Sequence, residues 1–398
     1  MSTQQLRKHI TMPWLSLAIY GALLGVLSAG LFFRLGSLLP GYSPTELETY
    51  QASMSLSGLL DNPLNAPFML VVRAFSYITD TLLATRLAAT FFGAATLVIF
   101  AILVRKWHNT RTAVIGTLLF GTSAWFMHTA RMGTPEVLLF GLFLLVACGF
   151  WLKERPGWLP LVVCILGAGV LMYVPGMVWF IALGIAWQWK TIDRIFKKQL
   201  LAVTLAGLGT IAALAPLGWA LYKDHNLITR WLGLPQDWPA PLEMARNVLE
   251  VPFHFLIRNE SSPATWLGTA PIFEVFSLAM LLLGGYLYLI HFKLARTPLV
   301  LGVFALTLAL MVIGSPAISF SVVMPFAYLI IAAGVSHLFN QWFMVFPRNP
   351  IARTSGWVLV TCLIALVCVF HITHYFMGWP HATTTHDVYT VQSDTIDK

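Results

Sequence analysis

The residues best suited to chemistry lie in a short polar stretch that follows the first long apolar run. Ser43-Pro44 is typical of a helix start, because serine caps free N–H groups and proline suits the first helical position. Helical spacing then places Glu46, Tyr50 and Ser53 on one face. We therefore predict an amphipathic helix in the plane of a membrane, with Glu46 on its water-facing side. A carboxylate beside hydroxyl groups at that surface could act as a general base.

A structural role for Glu46 fits the same residues. Ser43-x-x-Glu46 has the spacing of a capping box, in which the glutamate side chain bonds back to the backbone of the capping serine. Local sequence leaves both interpretations of Glu46 open, so the location of the helix in the fold must decide between them.

Other charged residues occur where apolar runs begin and end. Arg131 ends one run, and Glu136 begins the next behind Thr134-Pro135. An arginine at a membrane rim can reach a lipid phosphate or pair with a carboxylate. Glu136 could equally be a first-turn acid that favours the helix dipole, and Arg258 could be a solvated loop charge. The candidate supporting residues share a predicted position near one membrane face: Arg34, Glu48, Tyr50, Asp61 and Glu136.

Composition predicts an all-α polytopic membrane protein. Apolar residues make up 58% of the 398 positions and charged residues only 10%. The apolar runs predict about eleven transmembrane helices, at residues 14–33, 83–104, 112–130, 135–152, 158–173, 175–189, 200–221, 271–290, 298–313, 320–339 and 355–377. The pair 158–173 and 175–189 could form a tight hairpin or one kinked helix.

The distribution of positive charge predicts the orientation of these helices. Fifteen of the 24 Lys and Arg residues fall in the N-terminus and in alternate turns, together with only two acidic residues. Because such turns face the cytoplasm, we predict a cytoplasmic N-terminus and an extracytoplasmic active face. The net charge of +8 therefore reflects topology, and we expect no nucleic-acid partner. Residues 1–377 then form one transmembrane domain with outer loops at 34–82 and 222–270, and residues 378–398 form a disordered polar outer tail.

Several short motifs resemble those of the GT-C membrane glycosyltransferases, in particular the protein-mannosyltransferase and aminoarabinose-transferase group (family 39). The acidic first outer loop is similar in position to theirs. Further similarities follow in register: Thr85-Arg86-Leu87-Ala88, Phe92-Gly93-Ala94, Thr122-Ser123-Ala124-Trp125, Ala130-Arg131-Met132-Gly133 and Trp266-Leu267-Gly268. The family pattern in the first loop is Asp-Glu-x-x-Tyr. Alignment on Tyr50 places Glu46 at the aspartate and Leu47 at the glutamate.

The resemblance implies a sugar transfer from a polyprenyl-phosphate donor to a lipid, glycan or protein acceptor in the cell envelope. Glu46 would be the general base of an inverting reaction, and Arg131 and Arg258 would bind the donor phosphate. It implies no cofactor and no metal ligand set, and it leaves a divalent metal open. The altered acidic pair supports an alternative, a catalytically silent relative that binds a lipid-linked sugar or a membrane partner. A transporter is a third hypothesis, although the charges lie at the ends of spans and not at mid-bilayer.

Overall fold

A computed structural model describes residues 13–79, 82–256, 271–294 and 296–391 of the chain. These residues form α-helices joined by short turns, with one isolated antiparallel bridge between Tyr42 and Val391. The prediction of an all-α protein is confirmed. In chain order, the helices are α1 (Pro13–Phe32), α2 (Pro44–Met54), α3 (Leu56–Asp61), α4 (Ala66–Ser76), α5 (Leu83–Trp107), α6 (Thr110–Thr122), α7 (Ala124–Arg131), α8 (Gly141–Glu154), α9 (Trp158–Leu171), α10 (Met177–Lys198), α11 (Leu200–Lys223), α12 (Asn226–Trp231), α13 (Pro241–Leu256), α14 (Val275–Ile290), α15 (Arg296–Val312), α16 (Met324–Val345), α17 (Pro350–Thr373) and α18 (Thr383–Val388).

Five helical segments within the described ranges are long and apolar enough to cross a membrane. They are Leu83–Trp107, Pro135–Glu154, Leu200–Lys223, Met324–Val345 and Pro350–His381. Shorter apolar helices occur at Tyr20–Phe32, Ala66–Ser76, Trp158–Leu171, Val275–Ile290 and Arg296–Val312. This pattern is that of an integral membrane protein. Each of the eleven predicted spans overlaps a helix, while the number that crosses the bilayer stays a prediction.

Two turns lie in or between predicted spans and contribute to the surroundings of the site. The span predicted at 112–130 is two helices, because the backbone leaves helical geometry at Ser123 between α6 and α7. The pair at 158–173 and 175–189 forms separate helices, α9 and α10. Gly176 lies between them with a φ of 77°, a conformation that favours glycine, and donates its N–H to the carbonyl of Trp231 at 2.9 Å.

The close packing of α14 against α16 fixes the position of the turn that precedes α16. A Cβ atom at Gly284 would lie 2.0 Å from the carbonyl oxygen of Ile330, and one at Gly334 would lie 2.2 Å from that of Met280. Glycines at these two positions therefore let the helix backbones touch. A 3₁₀ turn, Phe320–Val322, leads into the buried α16.

The first outer loop contains α2, α3 and α4, but the predicted water-facing side of α2 points inward. Glu46, Tyr50 and Ser53 are buried, whereas Thr45 and Glu48 are exposed. The prediction of a wet polar face is wrong because a positive charge from another helix meets Glu46 inside the protein. This contact is described below.

The described part of the C-terminal segment is also folded, in contrast to the predicted disordered tail. Trp379 and Tyr389 are buried, and their rings meet edge to face with centroids 5.8 Å apart. The bridge of Val391 to Tyr42 then fixes this segment to the first outer loop. Its lack of apolar periodicity concealed the aromatic anchors, which are spaced irregularly. Residues 392–398 lie outside the described residues.

Candidate functional site

The Glu46 carboxylate forms a buried ion pair with Arg86, which lies in the first turn of α5. Arg86 Nε donates to Oε1 at 2.8 Å and Nη2 donates to Oε2 at 3.1 Å, so the contact is bidentate. The guanidinium also donates to the backbone carbonyls of Leu35 and Gly41 and lies 4.1 Å from the ring centroid of Tyr42. Each of the three guanidinium nitrogens of Arg86 therefore donates a hydrogen bond to an oxygen atom.

Two backbone N–H groups complete the surroundings of Glu46. Ser43 donates to Oε2 at 2.9 Å, and its side chain accepts from the N–H of Glu46, so the predicted capping box is present. Gly133 donates to Oε1 at 3.0 Å. A Cβ atom at position 133 would lie 2.1 Å from Thr85 Oγ1, which is why only glycine brings this N–H close enough.

The electrostatics of this cluster keep Glu46 ionised. Burial acts to raise the pKa of the carboxyl, but the charge and hydrogen bonds of Arg86 and the N–H groups of Ser43 and Gly133 outweigh it. The pKa of Glu46 is therefore lowered from its ordinary value. A carboxylate with four hydrogen-bond donors and no exposed surface is a poor proton acceptor for a substrate in this conformation.

A cavity of about 860 Å³ lies beside this cluster and contains the second candidate carboxylate, Glu136. Ser319 Oγ and Ser321 Oγ both donate to Glu136 Oε1, at 2.6 and 2.8 Å. Trp125 Nε1 donates to Ser321 Oγ at 3.0 Å, so a chain of hydrogen bonds orients the carboxylate. No described residue donates a hydrogen bond to Oε2, which leaves this oxygen the one suited to a ligand.

The walls of the cavity come from distant parts of the sequence. Thr45 and Thr49 of α2, Trp125, Pro175 and Phe320 form part of it, and α13 contributes Asn247, Glu250 and His254. The predicted outer loop 222–270 therefore lines the cavity through α13. Among the lining residues that the structure describes, none is a lysine or an arginine. Across the same described residues, no group of three or more His, Cys, Asp or Glu side chains is arranged to hold a metal ion.

Of the candidate residues Glu46, Arg131 and Glu136, only Glu136 lines this cavity. Arg131 is buried, donates from Nη2 to the carbonyl of Phe33 at 2.6 Å, and lies over the rings of Tyr375 and Phe376. Its Nε and Nη1 atoms meet no acceptor among the described residues. Arg131 therefore packs against aromatic rings of the C-terminal segment and does not line the cavity.

The remaining predicted site residues that the structure describes do not line the cavity either. Arg34 is exposed and donates to the carbonyl of Ser37, and Glu48 is exposed on α2. Tyr50 is buried beneath α2, and Asp61 pairs with Lys223 at 2.7 Å on the surface. Arg258 lies outside the described residues. These positions give Arg34, Tyr50 and Asp61 anchoring or packing roles in the described fold, whereas Glu48 faces solvent.

Three important residues were missed in the sequence: Arg86, Ser319 and Ser321. A signal existed for Arg86, because an arginine inside an apolar run needs a buried acidic partner. Ser319 and Ser321 gave no such signal. They are separated from Glu136 by more than 180 positions, and isolated serines are common in membrane helices and turns.

Comparison with known proteins shows a likeness in structure but none in sequence. No protein-family model and no curated protein matches the sequence. Among solved structures, the chain is similar to ArnT from Cupriavidus metallidurans, which was crystallised bound to undecaprenyl phosphate. The two are 12% identical, and the match covers 92% of this chain and 76% of ArnT with a TM-score of 0.49. At this identity and score, the likeness assigns no residue and no activity to the present chain.

Proposed function

We propose that this protein is an integral-membrane glycosyltransferase that moves a sugar from a polyprenyl-phosphate donor to an acceptor hydroxyl. The observation that carries the proposal is the Glu136 carboxylate, held by two serine hydroxyls in a cavity of about 860 Å³. Ligand pockets usually measure about 300–1,000 Å³, so a sugar and part of its acceptor would fit. The motifs that resemble GT-C glycosyltransferases supply the class of reaction.

In the proposed reaction, Glu136 takes the proton of the acceptor hydroxyl through Oε2. The acceptor oxygen attacks the anomeric carbon, the bond from that carbon to the phosphate oxygen breaks, and polyprenyl phosphate leaves from the opposite face. This sequence inverts the anomeric configuration and passes through an oxocarbenium-like transition state. Ser319 and Ser321 hold Oε1, which leaves Oε2 for the proton of the acceptor hydroxyl.

The sequence-based alternative, Glu46 as the general base, requires the pair with Arg86 to open. While the ion pair is formed, we propose that Glu46 and Arg86 position the α2 helix, whose Thr45 and Thr49 line the cavity. The ion pair would then affect the reaction indirectly, because it fixes the part of the cavity wall that α2 forms. The proposed base is therefore Glu136 in place of Glu46, and the proposed reaction, an inverting sugar transfer, is unchanged.

The donor phosphate requires a cation that the described lining residues do not provide. The proposal assigns this role to Arg258, which follows α13 by two residues in a segment outside the described residues. His254 lies in the last turn of α13, lines the cavity and precedes Arg258 by four positions in the sequence. Because most Lys and Arg residues lie in the turns predicted to be cytoplasmic, we place the cavity that contains Glu136 on the opposite, extracytoplasmic side of the membrane.

A transfer assay in proteoliposomes with a polyprenyl-phosphate-linked pentose or hexose tests the proposal. Glu136→Gln keeps the size of the side chain and should lower the rate roughly a hundredfold or more with unchanged folding. Glu48→Gln, on the exposed side of α2, is the matched control and should keep the wild-type rate. A folded Glu136→Gln protein with full activity would reject Glu136 as the base. Full loss in a folded Glu46→Gln protein alone would restore the sequence-based assignment.

A second candidate function is a catalytically silent protein that binds a lipid-linked sugar. The observation in its favour is the absence of any Lys or Arg among the cavity residues that the structure describes. Donor binding without turnover, unchanged in Glu136→Gln and in Arg258→Gln, would support this alternative. Loss of donor binding in Arg258→Gln, together with measurable transfer by the wild type, would exclude it.

A further inference from the structure

A second cavity, of about 460 Å³, lies between α8, α9, α10, α11 and α15. It shares no lining residue with the cavity that contains Glu136. Its walls are mainly aliphatic and aromatic, with Leu145, Val146, Phe150, Ile165 and Phe180 among them. A cavity with such an apolar lining suits an alkyl chain.

One end of the second cavity is polar and positively charged. Lys153, in the last turn of α8, and Arg296, in the first turn of α15, both line it, together with Gln188 and Thr191 of α10. No Asp or Glu is present among the described lining residues. Lys153 is exposed and forms no ion pair with a described residue, whereas its neighbour Glu154 pairs with Lys106.

A buried hydrogen-bond donor faces the same end. The Trp107 side chain lines the cavity and is only 8% exposed, and its Nε1 has no partner among the described residues. Arg296 contacts the same residue, since its Nη1 donates to the carbonyl of Trp107. An indole N–H that is buried in a membrane protein normally finds an acceptor, which is an oxygen atom in most cases.

We propose that the second cavity binds one anionic phospholipid from the adjoining leaflet. An acyl chain would fill the apolar part, and the head-group phosphate would lie at the end lined by Lys153 and Arg296. Lys153 and Arg296 favour an anionic lipid over a zwitterionic one, because the choline group of a zwitterionic lipid would add a further positive charge beside them. Polybasic clusters next to the membrane recognise anionic lipids on the same physical basis.

Two glycines in the cavity wall allow the space itself to be tested. Gly149 and Gly184 line the cavity, and a Cβ atom added at either one would meet no atom within 4 Å. Gly149→Leu would therefore begin from an unobstructed Cβ position and occupy part of the cavity. Gly285 on α14 is also open but lies outside the cavity, so Gly285→Leu is the matched control.

The experiment is native mass spectrometry of the full-length protein supplied with equal amounts of phosphatidylglycerol and phosphatidylcholine. The wild type and Gly285→Leu should retain one phosphatidylglycerol, and Gly149→Leu should lose it. Lys153→Gln should lower the preference for phosphatidylglycerol about fivefold, the effect expected of one basic residue beside an anionic lipid. Lys153 is exposed and unpaired within the described residues, so this variant should fold.

Three results would overturn the proposal. The first is equal retention of the two lipids by the wild type, which would mean that charge plays no part. The second is the same lipid occupancy in Gly149→Leu as in Gly285→Leu, which would place the lipid elsewhere. The third is a bound mass that corresponds to detergent alone.

Discussion

Glu46 and Arg86 form a bidentate ion pair in which neither side chain is more than 1% exposed, although 40 positions separate them in sequence. The pair joins the first outer loop to the start of α5. Around it lie parts of the motifs on which the sequence resemblance rests, because Thr85 and Gly133 both contact the same cluster. These motif residues therefore build a structural junction beside the cavity.

Removal of one partner from this junction should destabilise the protein strongly. Glu46→Gln leaves the Arg86 charge buried without a counter-charge, and breaking a buried pair in this way costs about 3–5 kcal/mol. We expect this loss in the free energy of unfolding, measured by denaturant titration in mixed micelles. Glu48→Gln, exposed on the same helix, should change it by less than about 0.5 kcal/mol. A loss below about 1 kcal/mol for Glu46→Gln would mean that its carboxylate acts only as a helix cap.

The same pair should make stability depend on pH in the acidic range. The pKa of Glu46 is lowered in the folded protein, so the unfolded chain binds its proton first as the pH falls. The stability from this group is present above the ordinary glutamate pKa of 4.5 and is lost as the pH falls through the lower folded value. The free energy of unfolding of the wild type should therefore decrease more steeply below pH 4.5 than that of Glu46→Gln. Parallel curves for the two proteins would contradict a lowered pKa.

A methyl group at position 133 should disrupt the junction from the other side. In Gly133→Ala, the new Cβ atom would lie 2.1 Å from Thr85 Oγ1 and 2.5 Å from Thr85 Cβ, so one backbone must shift. We expect a loss of about 1–3 kcal/mol in the free energy of unfolding, typical of overpacking in a buried site. Gly207→Ala, on α11 with no atom within 4 Å of the added Cβ, is the control. It should stabilise the helix by up to about 1 kcal/mol. Equal effects of the two substitutions would reject the close contact.

The C-terminal segment should contribute to stability through its aromatic side chains. Tyr389 is 1% exposed, and its hydroxyl donates to Met132 Sδ at 2.9 Å, next to Gly133. Tyr389→Ala would leave a cavity and should cost about 3–5 kcal/mol, as removal of a buried aromatic ring usually does. Tyr222→Ala removes an exposed tyrosine and should change the unfolding free energy little. A disordered tail, as the sequence suggested, would instead make both substitutions neutral.

The sequence predicted the helices better than it predicted their contacts. Apolar runs located every predicted span on a helix, and the Ser43 capping box formed as expected, because both depend on residues close in sequence. The direction in which Glu46 points depends on Arg86, and the setting of Glu136 depends on Ser319, which is 183 positions away. Sequence patterns over a few neighbouring residues cannot predict contacts between residues that are so far apart in the chain. The folded C-terminal segment was missed for the same reason, since Tyr389 is anchored by Met132.

The bridge between Tyr42 and Val391 sets an order for assembly of the protein. Its two residues are the beginning of the first outer loop and the last described position, so the ribosome makes them 349 positions apart. At a synthesis rate of roughly 5–20 residues per second, about 17–70 s pass between synthesis of Tyr42 and synthesis of Val391, its partner in the bridge. During that interval, a nascent chain holds Glu46 and Arg86 without the cover of Tyr389. A chain that terminates before Tyr389 would lack both the bridge to Tyr42 and the hydrogen bond from Tyr389 to Met132, so the packing of its first outer loop would stay incomplete.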